Sequence, residues 1–323
     1  MANSVTLGMA AVQMKPSLAR AISKPIMQAS EVLPMLSYEG TSGNLFLSRL
    51  QDSSVPTPNW RHLNDDAPNP SRGTQRRETR WVGIMDFVIK LDTRIRDIPA
   101  QWESHVSAQI RLHGIGAGFE AQRVFFEGSR LTAPAEPDGL KALIDNGIAD
   151  GSIPSAQKID AGTGGATLTF ALLDQQAAVC YGSNRSWMAH PYFERKILAL
   201  ARDAATSGIL RYSESRTMLG RPFLEYNGMK IFKIERMDDH SSDLGFDEND
   251  GSGNLDTSRI YLINISKEDQ GVYAFGPDQI GIQVGGFKDL PGTPFVVSYS
   301  SWSIGFMWNG PTGGAVLIHL NQA

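Results

Sequence analysis

The sequence predicts an α+β fold organised around one long helix. Residues 97–128 carry the longest stretch of helical periodicity in the chain. Five runs in the C-terminal third have the composition and spacing of β-strands. The 32 glycines and 17 prolines among 323 residues are typical of a protein rich in strands and loops.

The composition excludes several classes of protein. A net charge of −4 and a pI of about 5.9 lack the basic balance of a dedicated nucleic-acid binder. Cys180 is the only cysteine, so no internal disulfide can form, as suits a reducing cytoplasm. No apolar run reaches the ~20 residues of a membrane-spanning helix. The N-terminus has no basic residue before Lys15 and makes a poor signal peptide.

Apolar side chains three or four residues apart predict a single buried stripe along the long helix. The stripe consists of Ile98, Trp102, Val106, Ile110, Ala117, Ala121, Val124 and Phe125. Asp97 can cap the start, Pro99 fits the first turn, and Gly128 fits the C-terminal stop.

Three glycines, Gly114, Gly116 and Gly118, interrupt this helix, and each costs about 1 kcal/mol relative to alanine. Two interpretations remain open: two helices with a break, or one long helix with a bendable centre. The apolar spacing continues across the glycines and favours the single helix. No strand precedes the Gly-x-Gly-x-Gly pattern and no Gly-Lys-Ser/Thr follows it, so it is not a nucleotide-binding loop.

The N-terminal third predicts an arm followed by a ribbon. Residues 1–24 show weak periodicity and are either disordered or lie on a neighbouring subunit. A short helix is expected over residues 25–32, stopped by Pro34. Strands at residues 44–50 and 79–91 enclose a long polar stretch, forming a two-stranded ribbon that is marginally stable alone. Stretches of this length are usually functional or disordered, so either a partner surface or a floppy loop is expected.

Four residues of this ribbon are candidate assembly residues. Trp60 lies in the polar stretch, and Arg76, Arg77 and Arg80 form a short basic run. The arginines are expected to pair with acids on a neighbouring subunit or to be solvated. The three glycines of the long helix are further assembly candidates.

The second half of the chain alternates short helices with strands. Helices are expected at residues 138–144, at 168–181 with Gly182 as the stop, and from Pro191 onwards. The last of these is expected to bury Phe193, Ile197, Leu200 and Ala204. Residues 161–166 read as a flexible link.

A hairpin and an acidic loop precede the C-terminal strands. Asn227-Gly228 between two alternating runs predicts a two-residue hairpin turn, since both positions need a positive φ. Residues 238–256 are acidic, with no lysine or arginine between Arg236 and Arg259. This loop is expected to be solvated, with cation binding as the alternative, but it lacks the EF-hand register. Strand-like runs follow at residues 259–264, 271–275, 280–284, 295–308 and 315–320.

No pattern in the chain predicts an enzyme, a cofactor or a metal site. The six histidines are scattered, and no His-x-x-x-His or Cys-x-x-Cys pair has metal-ligand spacing. There is no Gly-x-Ser-x-Gly nucleophile elbow. Cys180 lies on an apolar helix face and is expected to be a small buried side chain.

The order of these parts resembles the major capsid protein of tailed double-stranded DNA bacteriophages, which has the Hong Kong 97-like fold. The resemblance spans residues 30–320 and rests on order and spacing, because no single stretch is specific. The stretches that carry it are residues 31–36, 124–128, 138–144, 224–231 and 271–278.

The resemblance implies a structural protein built from four parts. They are an N-terminal arm (1–34), an E-loop ribbon (35–90), a peripheral domain with the spine helix (91–135 and 265–297) and an axial domain (136–264 and 298–323). It also implies self-assembly into hexamers and pentamers of an icosahedral virion head, assembled in the host cytoplasm and enclosing double-stranded DNA contacted non-specifically. Portal, scaffolding and decoration proteins would be further partners, and the helix glycines would let the spine bend.

Two departures from the family qualify this expectation. No lysine occurs between Lys24 and Lys90, so the E-loop lysine cross-link of some members is not expected. No long helical scaffolding segment precedes the arm, so scaffolding is expected to be a separate protein or absent. The alternatives are an encapsulin-like compartment, or a soluble α/β enzyme or carbohydrate-binding module with an unrecognised site.

Overall fold

Helices and sheets are mixed throughout the described part of the chain, which confirms the α+β class. The computed structural model describes residues 24–54, 74–96, 98–162, 164–202, 210–216, 222–236, 239–249, 256–277 and 282–322. The helices are α1 (residues 24–29), α2 (Thr93–Arg96), α3 (Pro99–Glu127), α4 (Leu140–Ala149), α5 (Phe170–Val179) and α6 (Pro191–Arg202). The strands are β1 (Tyr38–Gly40), β2 (Phe46–Ser54), β3 (Thr74–Trp81), β4 (Gly83–Asp92), β5 (Lys158–Asp160), β6 (Arg185–Ala189), β7 (Leu210–Arg216), β8 (Pro222–Tyr226), β9 (Met229–Lys233), β10 (Ser258–Asn264), β11 (Val272–Gly276), β12 (Ile282–Val284), β13 (Lys288–Asp289), β14 (Phe295–Trp308) and β15 (Gly314–Leu320).

The long helix α3 is continuous over 29 residues. The single-helix interpretation is therefore confirmed, and the two-helix interpretation is wrong. A proline stands in the first turn, as expected, but the N-cap residue Ile98 makes no side-chain capping bond. The predicted cap Asp97 lies outside the described residues. At the other end the N–H of Gly128 donates to the carbonyl oxygen of Val124 at 2.9 Å, which confirms Gly128 as the stop.

The predicted stripe of α3 is buried in the second half of the helix and only partly buried in the first. The buried members are Ile110, Ala117, Ala121, Val124 and Phe125. Trp102 and Val106 are half-buried, and Ile98 is 48% exposed, so burial of Ile98 was a wrong prediction. Most side chains in the first turns of α3 are exposed, so the apolar spacing there does not correspond to a buried face.

A six-stranded sheet packs against this helix. Strand β14 pairs antiparallel with β4 along ten residue pairs, and it also pairs with β11, β12 and β13. Strand β1, which the sequence did not predict, lies at one edge, parallel to β11. One hydrophobic cluster joins Ile89 of β4, Trp302 of β14 and Phe125 of α3. Burial of this cluster holds the helix on the sheet.

The predicted strand at residues 79–91 is two strands that serve different sheets. Strand β3 pairs only with β2 in a two-stranded ribbon, whereas β4 belongs to the six-stranded sheet. Val82 separates them. Because side chains alternate in both strands, the period continues through the junction and does not reveal the change of partner.

The remaining strands form a seven-stranded sheet in the order β5-β15-β10-β6-β9-β8-β7. Its hairpin turn has φ angles of 52° at Asn227 and 74° at Gly228, which confirms the predicted turn. All five C-terminal strand runs are confirmed, but β5, β6 and β7 were not predicted. Helices α5 and α6 contribute to its hydrophobic cluster, which includes Phe193, Ile197 and Cys180. Leu200 is only half-buried, and Ala204 lies outside the described residues.

Two details of this half refine the sequence interpretation. Cys180 is buried as predicted, and burial raises the pKa of its thiol to about 12, so the group is inert at neutral pH. The boundary expected between residues 297 and 298 falls inside β14. Residues 295–304 of that strand pair with β4 and residues 305–308 pair with β11, so the whole strand lies in the six-stranded sheet.

Gly118 of the long helix marks a close helix crossing. Helix α1, which is shorter than the predicted residues 25–32 and is followed by a 3-10 turn containing Pro34, lies against it. A Cβ atom at Gly118 would stand 2.6 Å from the Cβ of Ala29 and 2.6 Å from the carbonyl oxygen of Ile26. Gly116, two residues earlier, has nothing within 4 Å of that position. Gly118 therefore allows α1 to pack against the long helix, whereas Gly116 faces open space.

We predict opposite effects for alanine at these two glycines. Gly118→Ala should lower the free energy of unfolding by about 1–3 kcal/mol, because the methyl group overpacks the contact with α1. Gly116→Ala should leave it unchanged or raise it by up to about 1 kcal/mol, because alanine favours the helix. Urea denaturation of the unassembled chain measures both. Equal effects of the two substitutions would contradict the packing role of Gly118.

Candidate assembly surfaces

The ribbon has two unlike faces. Residues paired across β2 and β3 point to the same side, so the alternation of side chains divides the ribbon cleanly. The face turned towards the body is half-buried and carries Leu47, Arg49, Gln51, Arg76, Glu78 and Arg80. The opposite face is largely exposed and carries Phe46, Ser48, Leu50, Arg77, Thr79 and Trp81.

Arginines on the inner face bind the ribbon to its own chain. The Nη2 atom of Arg49 lies 2.7 Å from Oε2 of Glu39. The Nη2 atom of Arg76 lies 2.6 Å from Oδ2 of Asp150, beyond the end of α4. These intramolecular pairs mean that the ribbon is attached to its own body at its base.

The pair between Arg76 and Asp150 is ionised at neutral pH. Burial opposes ionisation of Asp150, but hydrogen bonds from Ser152 and Arg76 outweigh it and hold the pKa of the carboxyl below its usual range. Because the folded pKa is depressed, this contribution to stability is present above the pKa of unfolded aspartate, about 3.9. It is lost as the pH falls through the folded value. Both partners are more than a third exposed, so the contribution is small.

The basic run has partners within the subunit that the sequence did not predict. Arg76 and Arg80 pair with acids of their own chain, and a role of the run in contacts with a neighbouring subunit stays a prediction. Arg77 is exposed on the outer face. Alternation explains the difference, because residues 76 and 80 share one face of β3 while residue 77 lies on the other. Trp60 lies outside the described residues.

The outer face carries an exposed apolar stripe. The rings of Phe46 and Trp81 lie 5.5 Å apart between centroids, and Leu50 is 66% exposed. The guanidinium of Arg130 lies 5.2 Å from the centroid of Trp81, and neighbouring Leu131 is 90% exposed. Isolated exposed apolar residues are ordinary, but several on one face mark an interaction surface.

A second apolar face lies on the six-stranded sheet. Val88 of β4 pairs with Tyr299 of β14, and both are exposed on the side that Ile84 shares. Sequence reasoning missed these three residues. The available signal was weak, because Ile84 and Val88 share their face of β4 with the charged residues Asp86 and Lys90.

The helix glycines do not form a shared site. Gly114 is buried, Gly116 faces open space and Gly118 contacts α1. Bending of the helix at these positions stays a prediction.

The acidic loop is tied to the long helix by a buried carboxylate. Asp243 accepts a hydrogen bond from Nε2 of Gln122 of α3 at 2.7 Å and from Nη2 of Arg236 at 2.8 Å. Because Asp243 is buried, the expectation of a solvated loop is wrong at this residue. In the described parts of the chain no group of three or more His, Cys, Asp and Glu side chains could hold a metal ion.

A charged cavity of about 340 Å³ lies between α4, the acidic loop and β10. Burial and the charge of Asp247 raise the pKa of Glu127, whereas burial and Arg259 lower the pKa of Lys141. Ion pairs compensate much of its charge, including one between Lys158 and Asp145 at 2.6 Å. Among the described residues no serine, threonine or cysteine hydrogen-bonds to a histidine, so they offer no nucleophile–base pair there.

The comparisons with known proteins identify the fold. No family model matches the chain, and no curated protein matches it. Among solved structures, the SrpI encapsulin of Synechococcus elongatus PCC 7942 matches with a TM-score of 0.64 and 14% identity, covering 90% of this chain and 88% of that one. The capsid of an empty GTA particle matches with a TM-score of 0.61, 14% identity and 90% coverage of each chain. Microbacterium phage Oxtober96 matches with a TM-score of 0.57, 15% identity and 91% coverage of each.

This is the Hong Kong 97-like capsid fold. Under the predicted division of this fold, the ribbon β2–β3 would be the base of the E-loop and α3 would be the spine helix, and these names are used for them below. The predicted resemblance is confirmed at the level of fold, which survives at this low identity. None of the described helices is both long and apolar enough to span a membrane.

We predict that a charge on the outer face of the E-loop blocks assembly without unfolding the chain. Leu50→Asp should change the free energy of unfolding by less than about 0.5 kcal/mol, because the side chain is exposed. If a neighbouring subunit covers Leu50, the buried carboxylate should abolish shells in negative-stain microscopy. Ser48→Asp, two residue pairs closer to the body on the same face, is the matched control and should assemble better. Normal shells from Leu50→Asp would show that this face is uncovered.

Proposed function

We propose that this chain is the major capsid protein of a phage-type particle. Many copies assemble through head-to-tail contacts into hexamers and pentamers, which close into an icosahedral shell around double-stranded DNA. The observation that carries the proposal is the E-loop, which is held to its own body on one face and leaves an apolar stripe on the other. The fold, which several phage-type capsids share, supports it.

The proposed parts follow the sheets of the structure. The N-terminal arm is residues 1–34 and the E-loop is 35–90. The peripheral domain contains the spine helix and the six-stranded sheet, and the axial domain contains the seven-stranded sheet. With β14 included, the boundary in the C-terminal part falls after Trp308 instead of after residue 297.

The chemistry of the chain fits a container and not a nucleic-acid reader. A net charge of −4 gives no basic surface for tight binding, so packaged DNA would be enclosed and contacted non-specifically. We place the protein in the virion head, assembled in the host cytoplasm. Portal, scaffolding and decoration proteins are the partners that such a head would use. The protein would act without enzymatic activity.

A second candidate is an encapsulin-like compartment that holds a protein cargo. The match to an encapsulin with a TM-score of 0.64 favours it, since the same fold builds that shell. The two candidates predict different contents for the same kind of particle. Nuclease-protected DNA in particles purified from their natural host would support the capsid, and a stoichiometric enzyme without DNA would support the compartment.

We predict that an E-loop cut back to its base prevents shell formation. Ser48 and Thr79 face each other across the ribbon, so replacing residues 49–78 with an Asn-Gly turn closes it without strain. The shortened chain should remain folded, because its peripheral and axial sheets are untouched. It should elute from size-exclusion chromatography as a monomer of about 32 kDa, because 28 of the 323 residues of the 35.3 kDa chain are lost, while the full chain forms shells.

The control is the unsubstituted full chain, purified and assembled in the same buffers. Shells of normal diameter from the shortened chain would defeat the role of the E-loop. A full chain that stays a 35 kDa monomer in every buffer would defeat the proposed function itself and favour a soluble enzyme or binding module.

A further inference from the structure

The second strand of the E-loop joins the body through a single residue. Strand β3 ends at Trp81 in the ribbon, and β4 begins at Gly83 in the six-stranded sheet. Val82 between them lies outside both strands, and its N–H donates to the carbonyl oxygen of Leu45 at 3.0 Å. Since the two sheets are separate, the contacts near residue 82 help to set the angle between ribbon and body, together with the connection from β1 to β2 on the other strand.

The turn of residues 128–139 is seated firmly on the end of the spine helix. The N–H of Gly139 donates to the carbonyl oxygen of Gly128 at 2.8 Å. A Cβ atom at Gly139 would stand 2.8 Å from the carbonyl oxygen of Phe125 and would collide with that of Val124. This close backbone approach needs glycine and fixes the turn to the last turn of the helix.

The same turn contacts the chain where the E-loop departs. Pro137 lies against Gly83 so closely that a Cβ atom at Gly83 would collide with the proline ring. Asp138 accepts a hydrogen bond from Nη1 of Arg80 at 3.1 Å with Oδ2, and from the N–H of Arg130 at 3.0 Å with Oδ1. The guanidinium of Arg130 in turn covers the ring of Trp81. Arg80 and Trp81 point to opposite faces of β3, so the turn holds both faces of the strand end.

Asp138 is the partner of Arg80 that connects the end of β3 to the turn of residues 128–139. Arg80 also contacts Glu78, but Glu78 stands two residues away on the same strand and moves with the ribbon. The side chains of Arg80 and Asp138 are 13% and 15% exposed, so their attraction is screened less than that of the exposed pair between Arg76 and Asp150. Removing the carboxylate charge would leave a buried guanidinium tied only to its own strand.

We propose that Asp138 is a positioning residue that fixes the angle of the E-loop relative to the spine helix. This inference rests on the proposed function for its purpose, since the angle decides where the ribbon meets the adjacent subunit. Through Gly139 and Pro137 the helix end, the turn and the ribbon form one connected unit. A shift of the end of the spine helix would therefore be transmitted to the E-loop.

The test measures the angle in the unassembled, full-length chain. Spin labels are attached at Arg77→Cys on the outer face of the ribbon and at Lys288→Cys on the six-stranded sheet, both exposed positions. Cys180 can stay, because its buried thiol does not react. Pulsed electron–electron double resonance then gives the distribution of distances between the two spin labels. Asp138→Asn should widen that distribution at least twofold, and Asp150→Asn, at the exposed pair, should widen it much less.

A second variant and a second readout keep the inference testable. Arg80→Met removes the same ion pair from the ribbon side and should widen the distribution equally, which covers the case that Asp138→Asn fails to fold. An unchanged width in both variants, or equal widening by Asp150→Asn, would overturn the role of Asp138. Shells from Asp138→Asn should vary in diameter more than twice as much as shells of the unsubstituted chain.

The two proposals fail separately. The distance measurement needs no shell, so it tests Asp138 even if the unsubstituted chain never assembles. Shells of unsubstituted protein with an unchanged distance distribution in Asp138→Asn would leave the proposed function standing and remove the inference.

Discussion

A two-stranded ribbon has no second layer to cover it, and this constraint governs the structure. An isolated ribbon is at best marginally stable in water. Here the inner face is covered by the body through Leu47 and ion-paired arginines, while Leu50 and Trp81 on the outer face remain exposed. The inner face of the ribbon is thus covered by its own chain. The outer face would need a second molecule to cover it, and in the proposed shell each subunit has a neighbour that could do so.

The six-stranded sheet explains why the ribbon can project at all. Strand β4 is anchored along β14 over ten residue pairs, and its inner face packs with Phe125 of the spine helix. The ribbon therefore begins at a strand that is fixed by hydrogen bonds on one edge and by apolar packing on one face. The exposed side chains of Val88 and Tyr299 lie on the other face of this same sheet. The apolar stripe of the ribbon and the exposed face of β4 and β14 thus belong to consecutive strands that Val82 joins.

Local patterns predicted the elements that carry a strong signal of their own. The spine helix follows from its apolar spacing, and the hairpin follows from the Asn227-Gly228 pair between alternating runs. Strands β10, β11 and β15 are buried on both faces and were recognised as short apolar runs instead. Strand β1 has only three residues, and β5 also has three, which is too short for any period to show. The split at Val82 was invisible because a change of pairing partner leaves no local mark.

The assembly surface was harder to predict, because face and partner are tertiary properties. The run Arg76, Arg77 and Arg80 reads as one basic patch in the sequence, yet β-geometry sends its members to opposite sides. The acids that receive the inner arginines, Asp138 and Asp150, are 58 and 74 residues away, so no spacing rule connects them. Gly118 was assigned to bending of the helix, whereas the structure shows that α1 packs against it too closely for a larger side chain.

The inner arginines also bear on how readily such a subunit assembles. A ribbon that is free in the monomer must be ordered at the moment of association, and that loss of entropy opposes binding. Ion pairs to Asp138 and Asp150 restrict the ribbon beforehand, so less of the binding free energy is consumed in ordering it. A restriction that is too strong would prevent the ribbon from adapting to the hexamers and pentamers of the proposed shell. One partly buried pair near residue 82 and one exposed, weaker pair further out give a ribbon that is firm at its base and adjustable beyond it.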